Sequence, residues 1–195
     1  NASKESLVRS LNQLARDADG DDSVVIYYAG HGELLASRKT GYWLLSDADA
    51  AKPASWISNA DIARLVAQVG ARQVALISDS CYSGSLTSGE KIVAKGTSKD
   101  AASVLQQRAV VVMSSGSNEP VADEGKEGHS IFAWNFMGAL KSLSDWQVGG
   151  SVFERVRDAV SKEFPQTPQY SAFSSAGHQS GADYLFEKRS LESAQ

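Results

Sequence analysis

The sequence predicts an α/β layered fold with a largely parallel central sheet. Three observations predict it. Apolar runs at residues 24–29, 74–77 and 109–113 each end in glycine or small polar residues, as buried strands do where they reach the carboxyl edge of such a sheet. Between and around them lie stretches with helical spacing of apolar residues, so strands alternate with helices. The chain has 195 residues, 42% of them hydrophobic and 22% charged, which bounds one domain around one sizeable core.

Residues 3–17 space Leu7, Val8, Leu11, Leu14 and Ala15 as one face of an amphipathic helix. Asp19-Gly20-Asp21-Asp22 is a turn, and the strand over residues 24–29 is apolar on both faces, which predicts an interior position. Residues 41–45 read as a short hairpin strand leading into the acidic turn Asp47-Ala48-Asp49. Ser58-Asn59-Ala60-Asp61 is a capping-box variant opening a helix with Ile62, Leu65, Val66 and Val69 on its buried face, stopped by Gly70. The strand at 74–77 follows. Residues 85–108 form a long Ser/Gly/Lys-rich connection with one helical stretch near 101–107, and connections of this length are commonly functional. The strand at 109–114 closes in Ser114-Ser115-Gly116-Ser117. Residues 131–143 predict a helix apolar nearly all round and mostly buried. Ser151-Val152-Phe153-Glu154 reads as a second capping box, with a helix through Val156 and Val160 ending before Pro165. Pro165 and Pro168 mark an extended loop, and residues 183–186 predict a final edge strand.

Two stretches carry the chemistry. Residues 74–84 read Val-Ala-Leu-Ile-Ser-Asp-Ser-Cys-Tyr-Ser-Gly, and residues 24–32 read Val-Val-Ile-Tyr-Tyr-Ala-Gly-His-Gly. Neighbouring parallel strands of this form set Cys81 beside His31. An imidazole beside a thiol is the minimum for a cysteine nucleophile, because the ring takes the thiol proton and returns it to a leaving group. Competing chemistries fail on the residues: a Cys-x5-Arg phosphatase loop needs arginine where Thr87 stands, a redox pair needs a second cysteine, and no Gly-x-Ser-x-Gly elbow occurs. Of three histidines, His129 precedes a buried helix and His178 follows a polar stretch. His31 alone ends a strong strand between two glycines.

Tyr27-Tyr28-Ala29-Gly30-His31-Gly32 and Asp79-Ser80-Cys81-Tyr82-Ser83-Gly84 together resemble the caspase-like cysteine peptidases of clan CD, closest to the metacaspases and the bacterial caspase-like proteases (orthocaspases). The 50 residues from His31 to Cys81 match the roughly 50-residue His-to-Cys spacing of caspases. The Gln-Ala-Cys signature of animal caspases is replaced by Asp79-Ser80-Cys81. The resemblance implies a caspase-like three-layer sandwich over 1–195, lacking its N-terminal strand-helix-strand. It implies Cys81 as nucleophile, His31 as acid–base, and the Gly32 and Cys81 backbone amides as oxyanion donors. Asp79 then lines the pocket for the residue before the scissile bond and selects Arg, less readily Lys, with Glu119 and Asp123 adding to the acidic surroundings. No cofactor is expected to be required; Asp47 and Asp49 are the candidate calcium ligands, and the family's aspartate pair would fall at Asn59-Ala60, where alanine cannot ligate.

The expected partners are peptides and proteins with Arg or Lys before the cleaved bond. Residues 85–108 are the expected self-processing loop, with Lys91, Lys95, Lys99 and Arg108 as candidate sites. A net charge of −4 argues against a nucleic-acid binder, and no apolar run approaches the ~20 residues a membrane span needs. One cysteine forbids an internal disulfide, which fits the cytoplasm. The chain opens at Asn1 without an initiator methionine, so an N-terminal segment of the same gene product is expected to complete the sheet. The competing reading is a catalytically silent caspase-like scaffold acting by protein–protein interaction; a clan relative of other specificity is a third.

Overall fold

The computed structural model describes residues 1–35, 40–81, 86, 90–92, 100–117, 121 and 125–188. In chain order the strands are β1 (Ser23–Ala29), β2 (His31–Leu35), β3 (Thr40–Leu44), β4 (Ile57–Ser58), β5 (Gln73–Asp79), β6 (Ala109–Ser114), β7 (Trp146–Val148), β8 (Gln169–Ala172) and β9 (Leu185–Glu187). The helices are α1 (Lys4–Asp17), α2 (Asn59–Ala67), α3 (Ala101–Leu105), α4 (Ile131–Lys141) and α5 (Gly149–Glu163).

The central sheet runs β1-β5-β6-β8, parallel except for the last pair. Because side chains alternate along a strand, the apolar runs feed two cores. Val24, Val74, Leu76, Val110 and Val112 pack on one face with Leu11 of α1 and Ile62, Leu65 and Val66 of α2. Ala75, Ile77, Val111 and Met113 pack on the other with Phe132 and Phe136 of α4 and Val152, Val156 and Val160 of α5. This is a three-layer α/β sandwich. Its strand interiors are wholly apolar because helices cover both faces.

Ser58 caps α2 as expected: its hydroxyl accepts the Asp61 amide at 3.1 Å and donates to Asp61 Oδ2 at 2.7 Å. The second capping box does not form. α5 begins at Gly149, so Ser151 lies inside it, and no side chain of the flanking residue caps it. Its first amides are satisfied from elsewhere in the chain: Gly149 N–H donates to the Tyr184 carbonyl and Gly150 N–H to Asp183 Oδ2 at 3.0 Å. A tertiary partner has replaced the local cap.

Three further features concern the sheets. β2 and β3 form a hairpin with β4, a separate three-stranded sheet. The segment after the prolines becomes β8, and β9 pairs with β7 in a small ribbon rather than with the main sheet. Among the described residues β1 pairs with β5 alone, and its other edge is open. On its α4/α5 side Val25 is 51% exposed and Tyr27 44%, because those helices lie over β5, β6 and β8 and stop short of β1.

Candidate active site

The register of β1 on β5 pairs Ala29 with Asp79, and the Gly30 amide continues the ladder by donating to the Asp79 carbonyl at 3.3 Å. His31 and Cys81 each lie two residues beyond that pair, so both leave the sheet together at its carboxyl edge. The next residue fixes the approach. A β-carbon built on Gly32 would lie 1.9 Å from the Cys81 carbonyl oxygen, so only glycine allows the start of β2 to press against the Cys81 backbone.

Each arm is held from behind. Tyr28 stacks on Trp43 at 4.0 Å between ring centroids, and its hydroxyl donates within reach of two carbonyls, His31 at 2.8 Å and Leu44 at 3.1 Å. Burial pushes the Tyr28 phenol up to about 12, so it stays a donor. Beneath Cys81 the Ser80 amide donates to Ser115 Oγ at 3.1 Å, the Ser115 amide donates to the Ser78 carbonyl at 3.0 Å, and Gln166 Nε2 donates to the Ser115 carbonyl at 2.7 Å. The half-buried Cys81 thiol accepts the Val121 amide at 3.4 Å. His31 is exposed, and among the described residues no hydrogen bond joins its ring to the thiol. Such bonds are often long before substrate binds.

Asp79 is 9% exposed and stands in the wall of a cavity of about 310 Å³. Tyr27, Gly30, His31, His129 and Ser130 line it with Asp79. Asp79 Oδ2 accepts two hydroxyls, Tyr27 at 3.1 Å from β1 and Ser130, the cap of α4, at 2.5 Å. Burial, and then the adjacent Asp79 carboxylate, hold the Tyr27 phenol well above its ordinary range.

The remaining expected residues disperse. Asp47 Oδ1 accepts the Lys4 amide at the start of α1, and Asp49 pairs with Lys52 at 3.0 Å, which lowers its pKa together with the Ala51 amide. Among the described residues no group of three or more His, Cys, Asp or Glu could hold a metal ion. His178 Nδ1 lies 2.9 Å from the Val110 carbonyl, at the opposite end of the sheet. Lys91 bridges to Ser171 beside β8. Arg108 is a poor processing site as folded: its guanidinium donates to the Ala71, Val69 and Ala176 carbonyls at 2.6, 3.0 and 3.2 Å, and the following bond enters the buried β6. Glu119, Asp123, Lys95 and Lys99 lie outside the described residues. Reading the sequence missed Tyr27, Ser115, Ser130 and Gln166. The only signals were the hydroxyl residues flanking the strand ends and the serine preceding an apolar helix.

The caspase domain model of peptidase family C14 matches residues 1–177. The chain belongs to the caspase domain family. Members of this family are cysteine peptidases acting on proteins. Caspase-1 of Spodoptera frugiperda shares the fold at a TM-score of 0.65 and 13% identity, over 98% of this chain and 73% of that one. A protein of Geobacter sulfurreducens does so at 0.57 and 15%, over 88% of this chain and 73% of that one. No curated protein matches. Among the described residues of this caspase domain, no helix is long and apolar enough to cross a membrane.

Proposed function

We propose that this caspase domain is a cysteine endopeptidase cleaving after Arg, and less readily Lys, in the manner of metacaspases and orthocaspases. The observation that carries the reading is the near-buried Asp79 in the wall of a cavity shared with His31, two residues before the only cysteine. A carboxylate there pairs with a guanidinium or ammonium and repels an acidic side chain.

Cys81 Sγ attacks the carbonyl carbon, and the Gly32 and Cys81 amides receive the oxyanion; one such donor is worth about 2.7–4 kcal/mol in other hydrolases. The C–N bond breaks as His31 gives its proton to the leaving amine. Water, deprotonated by His31, then breaks the thioester and restores the thiol. The free thiol suits a reducing, cytoplasmic setting. Self-processing is assigned to the connection after Cys81, at Lys91, Lys95 or Lys99.

The bare Val25 and Tyr27, and β5 as the one strand beside β1 among the described residues, support a further part of the reading, that an upstream segment of the same gene product adds strands beside β1. A panel of fluorogenic peptides differing only in the residue before the cleaved bond tests the specificity. Preference for Arg and Lys, abolished by Cys81→Ala, is the expected result; preference for Asp overturns it.

A further inference from the structure

We infer that Tyr27 and Ser130 are positioning residues that fix the rotation of the Asp79 carboxylate and thereby set the preference for arginine over lysine. The inference rests on Asp79 being the specificity carboxylate. Both hydroxyls donate to one oxygen, Oδ2, from elements on different sides of it: Tyr27 from the neighbouring strand at 3.1 Å, Ser130 from the start of α4 at 2.5 Å. Ser130 has no other use for its proton. As the cap of α4 its oxygen accepts the Ala133 amide at 2.9 Å, which leaves the O–H to be donated, and it is donated to Asp79.

The torsion that turns a carboxylate about its last bond is broad and roughly two-fold, so an unheld aspartate rocks. Two donors on one oxygen remove that freedom. The consequence differs between the two basic residues. A guanidinium is a planar fork whose paired N–H bonds need a carboxylate of fixed plane, whereas an ammonium is a compact charge that tolerates rotation. A held Asp79 therefore rewards arginine more than lysine.

The test compares kcat and KM on two peptides identical but for Arg or Lys before the cleaved bond, in the wild type, Tyr27→Phe, Ser130→Gly, the double variant and Asp79→Asn. Glycine replaces serine at a helix cap with little loss, so α4 is retained, and Tyr27→Phe keeps the ring. A bond to a charged group lost at one remove from substrate should raise KM for the Arg peptide about three- to tenfold in each single variant, with a smaller change for Lys. The Arg-to-Lys ratio of kcat/KM then falls at least about threefold, and further in the double variant. A ratio held at the wild-type value in Tyr27→Phe and Ser130→Gly, while Asp79→Asn collapses cleavage after both residues, overturns the inference and leaves the specificity reading standing. Unaltered cleavage in Asp79→Asn overturns both.

Discussion

Replacing Gly32 with alanine adds one methyl group where the chain has no room for it. The new β-carbon would lie 1.9 Å from the Cys81 carbonyl oxygen and 3.0 Å from its carbon; real β-carbons essentially never come nearer than 3.0 Å to a neighbour, so the oxygen or β2 must retreat by at least 1.1 Å. Both atoms met belong to the backbone, and no rotamer relieves the clash. Retreat of β2 strains the Tyr28 bonds to the His31 and Leu44 carbonyls, and retreat of Cys81 strains the Ser80–Ser115 bond beneath it. A misplacement of about 1 Å at reacting groups costs on the order of 10²-fold in rate. Gly32→Ala should therefore lose at least ~100-fold in kcat/KM on an Arg peptide, while the overpacking itself costs only about 1–3 kcal/mol of stability. The alanine keeps its amide, so the loss reports displacement and not a missing oxyanion donor. Steady-state kinetics beside a thermal melt by circular dichroism separates the two effects. A folded variant with activity within fivefold of the wild type would refute the reasoning.

Cys81→Ala should abolish turnover and all labelling by thiol-directed peptide inhibitors, because the chain has no other thiol, and His31→Ala should cut turnover by ~10²–10⁴-fold on the same peptide. Incubated active enzyme should nick itself after Lys91, Lys95 or Lys99 with the pieces remaining associated; mass spectrometry that finds the same intact chain in the wild type and in Cys81→Ala would count against this. Burial lowers the His178 pKa below its ordinary 6.5. As pH falls through 6.5 the unfolded chain takes up the proton before the folded one does, so stability is lost on that side. Urea melts of His178→Gln should accordingly show a flatter decline below pH 6.5 than the wild type.

The sheet and the two motifs were legible because 74–77 and 109–113 are short, continuous apolar runs rich in β-branched residues that end in small polar ones, the mark of a strand covered on both faces. The hidden parts depend on partners distant in sequence. Nothing near Ser151 reveals that Asp183 and Tyr184 satisfy the start of α5 and so move its cap three residues earlier, to Val148. β1 is legible in the sequence as a strand that expects cover on both faces. Its wholly apolar pattern states what the strand can tolerate on each face, and Val25 and Tyr27 show that the described helices do not supply it. In the site, Asp79 stood out by its offset from Cys81, whereas Ser130 is 51 residues away from Asp79 and reads locally as a helix cap and nothing more.

The shared offset of His31 and Cys81 from the Ala29–Asp79 pair bears on how such a chain can change length. The hairpin, the acidic turn and α2 all lie between the two motifs, and residues added there lengthen loops at slight entropic cost, growing only with the logarithm of loop size. An insertion of one residue inside β1 or β5 is another matter. With side chains alternating along a strand, it would turn the histidine or the cysteine to the opposite face of the sheet and undo the pairing of every residue behind it. Relatives should vary freely in the number of residues separating histidine from cysteine, and not at all in the count from each strand's last paired residue to its motif.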